Sequence, residues 1–116
     1  MSDTVPTIEH KPLERCDLFI LHGRIDSSKA PEIEAAFKGI TDLSRFRFVL
    51  DMSDVSFVSS AFLRVLMSNH KMVRRFNRGN IYLAAMSPKI VEVLELAGIV
   101  DMFQVYNSAA EAVGAW

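Results

Sequence analysis

The residues of this chain best placed to do chemistry are two adjacent serines, Ser59 and Ser60. They stand between a short apolar run, Val55-Ser56-Phe57-Val58, and the longest helical pattern in the sequence. A serine at such a junction is the N-cap of the helix or lies within a residue of it, so its hydroxyl faces the unbonded N–H groups of the first turn. Two uses follow. Ser60 simply caps the helix, contributing about 1 kcal/mol, or it is a modification site. The positive end of a helix also suits a phosphate, which would add about two negative charges to the adjoining surface.

Nothing else assembles into a catalytic constellation. The five glycines are scattered singly, without phosphate-cradling spacing, and no Gly-x-Ser-x-Gly elbow occurs. His10, His22 and His70 lack metal-ligand spacing, and the single cysteine, Cys16, supplies no partner motif. His70 falls on the apolar arc of its helix and reads as a core-edge residue. Met67 and Met72 belong to the same core pattern. The sequence thus predicts a protein that is not an enzyme, with no catalytic residue, no metal and no cofactor.

The elements that must position these serines alternate between strand and helix. A first strand is expected near Pro6–Lys11. Asp17–Gly23 is a buried apolar strand closed by glycine. Ser27 and Ser28 offer an N-cap, Pro31 falls in the first turn, and Ile33, Ala36, Phe37 and Ile40 repeat at helical spacing. Phe46–Leu50 forms another strand ending at Asp51-Met52, with a polar break at Ser53-Asp54 before Val55. From Ser60 the pattern is helical to Gly79, which is placed to be the left-handed residue that stops it. Phe62, Leu63, Val65, Leu66, Met67, Met72, Val73 and Phe76 share one arc of that helix. Arg64, Lys71, Arg75 and Arg78 share the other, as a solvated face or an acidic-partner surface. Ile81–Ala85 is a strand, Ser87-Pro88 starts a helix that Gly98 ends, Phe103–Tyr106 is a last short strand, and Asn107 or Ser108 caps a closing helix through Val113. Continuously apolar strands separated by amphipathic helices predict an α/β fold with a mainly parallel sheet. Functional groups then collect at three strand-to-helix junctions: Gly23–Ser28, Phe57–Ser60 and Met86–Pro88.

Composition sets the outer limits. A chain of 116 residues fits one domain, and half of it is apolar. Thirteen basic against fourteen acidic residues argue against a nucleic-acid partner. No apolar run approaches the ~20 residues of a membrane span, and Met1–His10 carries no secretory pattern. A cytoplasmic protein without direct membrane insertion is expected. Cys16 reads as a small core residue at a strand entry.

The segment Val55-Ser56-Phe57-Val58-Ser59-Ser60-Ala61-Phe62-Leu63-Arg64-Val65-Leu66 resembles the signature of STAS domains, found in bacterial anti-sigma-factor antagonists. There an apolar pair leads into Asp-Ser-Ser-Gly-Leu, or Ser-Ser-Ala-Gly-Leu-Arg, at a helix start. Phe48–Ser53 resembles the strand before that motif, Gly23-Arg24-Ile25-Asp26 its Gly-Glu-Leu-Asp turn, and Asn80 through Ser87-Pro88 to Ile99 its final strand, helix and closing segment. The resemblance implies a single STAS domain over 1–116, core about 6–113, with a four- to five-stranded mixed, mainly parallel sheet and about four helices.

It also implies a switch. The unmodified protein binds an anti-sigma factor that is a serine kinase, phosphorylation of the motif serine abolishes binding, and a phosphatase restores it. Carried over by position, that serine is Ser60, with Asp26, Ser59, Ala61, Phe62 and Arg64 beside it in partner binding. Ser59 replaces the motif's Asp and Phe62 its Gly. The alternative these departures leave open is an unphosphorylated STAS scaffold, or an accessory subunit of a signalling complex or membrane transporter. Phe62 either packs in the core or projects to the binding surface. Asp26 either meets the partner or bonds backbone N–H groups in its turn. Trp116 buries against the domain or against a second copy, giving a monomer or a weak dimer.

Overall fold

The computed structural model describes residues 5–76 and 78–116. Met1–Thr4 of the polar amino-terminal stretch, and Asn77 within the expected long helix, lie outside the described residues. Five strands form one sheet in chain order: β1 (Ile8–Pro12), β2 (Asp17–Ile25), β3 (Arg47–Val58), β4 (Asn80–Ala84) and β5 (Gln104–Tyr106). β1 pairs antiparallel with β2, and every later pairing is parallel. The parallel strands are joined by α1 (Ala30–Thr41), α2 (Ser60–Val73) and α3 (Pro88–Leu96), with a 3-10 turn at Val100–Met102 and α4 (Ala109–Gly114) closing the fold.

Burial explains why the strands are apolar on both faces. Ile33 and Phe37 of α1, Phe62, Leu66 and Val73 of α2, and Ile90 and Leu94 of α3 share one cluster with Phe19, Leu21, Phe48, Leu50, Ile81 and Leu83 of the sheet. The opposite face holds Cys16, Val49, Tyr82 and Ala84 with Ala112 of α4. β4 is buried at all five positions, so hydrophobic alternation is absent where both faces are covered. Phe19, Phe37 and Phe48 pack edge-to-face or tilted, centroids 4.9–5.3 Å apart, around the centre of the larger cluster.

Local chemistry sets most boundaries as expected. Ser87 accepts from the N–H of Ile90 with Pro88 following, Gly98 ends α3 at φ +75°, and Ser108 accepts from the N–H of Glu111.

Several expectations fail. Gly23 does not close β2, which runs on to Ile25. The break at Ser53-Asp54 is not a break: β3 runs unbroken to Val58, and the polar pair is absorbed where the β2–β3 register slips between Ile20 and His22. Neither Ser27 nor Ser28 caps α1. Lys29 is the cap residue and has no side-chain cap bond, because Ser28 is turned back onto Asp26. Gly79 does not stop α2, which ends at Val73, and the left-handed residue is Arg78 at φ 61°. Gly79 is required for space instead: a Cβ there would sit 1.9 Å from the Val73 carbonyl oxygen. Phe76, beyond the helix, leaves the core arc and stacks on Phe46 at 3.8 Å.

Candidate functional site

Because β2, β3 and β4 run parallel, their carboxyl ends lie at one end of the sheet, and the three junctions meet there. The first two are tied directly. The Ser59 N–H donates to the Ile25 carbonyl at 2.9 Å, so Asp26 and Ser60, the next residue in each segment, flank one backbone hydrogen bond. The Arg24 guanidinium lies 4.3 Å from the Phe57 ring centroid in the register pair just below.

Ser59 is the N-cap of α2. Its extended backbone, φ −93° and ψ 163°, lets Oγ accept from the Phe62 N–H at 3.2 Å. This settles which serine caps: it is Ser59, not Ser60. Ser60 is the first residue of α2 and exposed, so its hydroxyl is left out of the cap and stands at the positive end of a 14-residue helix. Phe62 is 0% exposed and packs in the main cluster. The core alternative holds for it, and its ring contributes no surface. The bulk that replaces glycine in the motif faces inward.

Asp26 is half-buried, and its Oδ1 accepts from Ser28 Oγ at 2.6 Å and from the Ser28 N–H at 3.0 Å. The Ser28 hydroxyl is the main reason its carboxyl lies below the usual range. Asp26 therefore stays ionised and fixes the turn into α1. Half-buried Ala61 and exposed Arg64 line a shallow groove between α1 and α2, with Ala30 and Pro31 as its apolar floor and Glu34 opposite. Glu34 Oε2 accepts from Asn69 Nδ2 at 2.6 Å, locking the two helices beside the groove. Pro31, Glu34 and Ser68 were not legible as site residues. Only the packing of α1 on α2 puts them in one groove with Ala61 and Arg64.

The other reactive side chains serve the fold. Cys16 is buried, which pushes its thiol up. His70 is buried against Phe103 with ring centroids 4.4 Å apart, and burial pulls it down in pKa. Trp116 stacks on Tyr82 at 4.2 Å within its own chain. Sequence reasoning missed two ionic groups: buried Asp17 is held by His10 and Arg45, and a second group centres on His22. His22 on β2 bridges Asp54 on β3 (Nδ1–Oδ2, 2.6 Å) and Glu9 on β1 (Nε2–Oε2, 2.5 Å). Both carboxylates raise its pKa, Asp54 more strongly. Among the described residues no group of three His, Cys, Asp or Glu side chains is arranged to hold a metal, and no helix is long and apolar enough to cross a membrane.

Comparison with known proteins places this geometry among relatives. A family model for the STAS domain matches residues 8–112. The Bordetella bronchiseptica protein BtrV, named for anti-sigma factor antagonism, is 33% identical over 96 residues, covering 83% of this chain and 82% of BtrV. The anti-sigma-B factor antagonist of Listeria monocytogenes is 23% identical over 107 residues, 92% of each chain. Among solved structures, a Thermotoga maritima protein named for the same role superposes with a TM-score of 0.85 at 18% identity, covering 93% of this chain and 92% of that one. The phosphorylated form of Bacillus SpoIIAA gives 0.75 at 16% identity, covering 93% and 97%.

Proposed function

Because the chain belongs to the STAS domain family, we propose that it acts as an anti-sigma-factor antagonist, docking through the Ser60 end of the sheet onto a serine-kinase anti-sigma factor and released when that kinase phosphorylates Ser60. The observation that carries this reading is the division between the two serines: Ser59 holds the helix end, and the exposed Ser60 hydroxyl is free of that duty. Phosphorylation at Ser60 therefore leaves the cap of α2 intact. The switch acts on the surface and not on the fold.

The surface suits a protein partner more than a small substrate. The strand order follows the chain order, so the sheet has no point where the winding reverses and opens a crevice at its carboxyl edge. What remains is a shallow groove flanked by Arg64 and Glu34. A dianion brought into such an interface must be desolvated or left unpaired, at a cost of several kcal/mol. About 3 kcal/mol already weakens a complex roughly a hundredfold. A serine phosphatase would restore binding, and the cytoplasm is where such partners act.

The test is calorimetric binding to the cognate anti-sigma factor. Ser60→Ala retains the parent affinity, and Ser60→Asp loses about a hundredfold. Equal affinity of parent and Ser60→Asp overturns the switch. A second reading, an unphosphorylated scaffold or accessory subunit of a signalling complex or transporter, is favoured by Ser59, whose side chain is taken up by capping and supplies no carboxylate beside the acceptor. Intact mass after incubation with kinase and ATP separates the two: a single phosphate on the parent, absent from Ser60→Ala, supports the switch, and an unmodified parent supports the scaffold.

A further inference from the structure

The opposite end of the sheet carries a second concentration of chemistry. At the amino ends of β3 and β4, Arg47 stands across from Asn80 in register, and the chain leaving α2 passes Arg74 and Arg78. A hollow there is lined by Arg74, Arg78, Asn80, Tyr82 and Trp116. Trp116 lies nearly parallel on Tyr82, 10° between the planes, and the Arg47 guanidinium is 5.8 Å from the Trp116 ring centroid. Burial raises the pKa of the Tyr82 phenol, and the three arginines draw it partly back; two of them, Arg74 and Arg78, line the hollow with it. Among the described residues none of the three has an ion-pair partner, whereas neighbouring Arg45 is neutralised by Asp17 at 2.6 Å. In a chain of net charge −1 this is segregation of charge, not excess.

Service to the fold accounts for part of the cluster only. Arg74 follows the last turn of α2, where a cation favours the helix dipole. Arg47 opens a strand and has no such use. Arg78 holds a left-handed backbone, φ 61°, that glycine or asparagine adopts more readily. The Trp116 indole adds a buried N–H without a partner among the described residues. Guanidinium groups offer paired, planar donors that match phosphate oxygens, and the hollow is bounded by an aromatic stack and a turn, which favours a compact ligand.

We infer that this hollow is an anion site that binds a multiply charged phosphate group, independent of the Ser60 end. Trp116 is the only tryptophan, so its emission reads the site. The full chain is titrated with pyrophosphate at constant ionic strength, with sodium chloride and acetate as parallel arms. A saturable change with pyrophosphate alone is expected, half-complete at or below about 1 mM. Arg74→Gln and Arg78→Gln each weaken it about tenfold or more. Arg75→Gln, which is exposed and outside the lining, and Ser60→Asp leave it within about threefold. A linear response, an equal response to acetate, or unchanged titrations of Arg74→Gln and Arg78→Gln overturn the inference.

Discussion

Ser59 and Ser60 carry the same side chain one residue apart, yet their backbone positions give them opposite roles. Ser59 Oγ accepts the Phe62 N–H, and Ser60 does not cap. Ser59→Ala should therefore cost about 1 kcal/mol, roughly 4 °C in melting temperature for a chain of this size. Ser60→Ala should stay within about 0.5 kcal/mol of the parent. Thermal melts followed by circular dichroism check both, and an equal loss from the two variants contradicts the division.

The histidines give a second prediction at this scale. Both ring nitrogens of His22 face carboxylates, an arrangement that a neutral imidazole, with one N–H, cannot satisfy twice. Its raised pKa means that the stabilisation is fully present below the unfolded value near 6.5 and is lost as pH rises through the folded value. His70 has the opposite sign. Burial lowers its pKa, so its contribution is present above about 6.5 and is lost as pH falls through the depressed value. Melting temperatures measured from pH 5 to 9 should pass through a maximum. His22→Gln should flatten the alkaline limb, and His70→Leu the acid limb.

At the scale of elements, the sequence was legible wherever a local rule decides the outcome. Ser87-Pro88, Gly98 and Ser108 mark helix ends through bonds made within a few residues, and all three act as expected. Helical phase orients Leu66, His70 and Val73 onto the apolar side of α2, whereas it leaves Phe62, in the first turn, open between core and surface, and Phe76 departs from the arc because the helix ends at Val73. What failed needed a partner from elsewhere in the chain. Ser53-Asp54 stays in β3 because β2 follows it through a register slip. The Glu9–His22–Asp54 bridge needs the order of three strands, which no periodicity supplies. The groove along Ala61 and Arg64 needs α1 laid on α2, and Pro31 and Glu34 carry no mark of it. Gly79 is the instructive error. Its position after a helical pattern suggests a conformational glycine, yet it is a steric one, facing backbone that cannot yield. Gly79→Ala should cost about 2–3 kcal/mol in urea denaturation, even though its φ is not left-handed. Asparagine at position 78 should be tolerated, because it accepts that backbone.

For the whole molecule, the two ends of the sheet are chemically unlike. One presents a serine and a shallow groove, the other arginines around an aromatic stack. Trp116 belongs to the second end, yet it packs on Tyr82 of the central sheet, so its emission should follow global unfolding as well as local binding. We propose that residues 8–112 unfold as one cooperative unit. Urea transitions by tryptophan emission and by far-ultraviolet circular dichroism should coincide, and separated midpoints would mean that the α4 face comes away first.

Each strand lies beside the strand made just before it. During synthesis the growing edge of the sheet is therefore always the newest one, and no later segment must wedge between strands already joined. β1 and β2 can close as a hairpin while the rest is still being translated, and each following helix-and-strand pair adds at a waiting margin. Assembly proceeds like courses laid on a wall. The margin left bare at any moment is shielded only when its successor arrives, so a pause in translation after β3 or β4 exposes an apolar strand edge, the moment at which this chain is most open to aggregation.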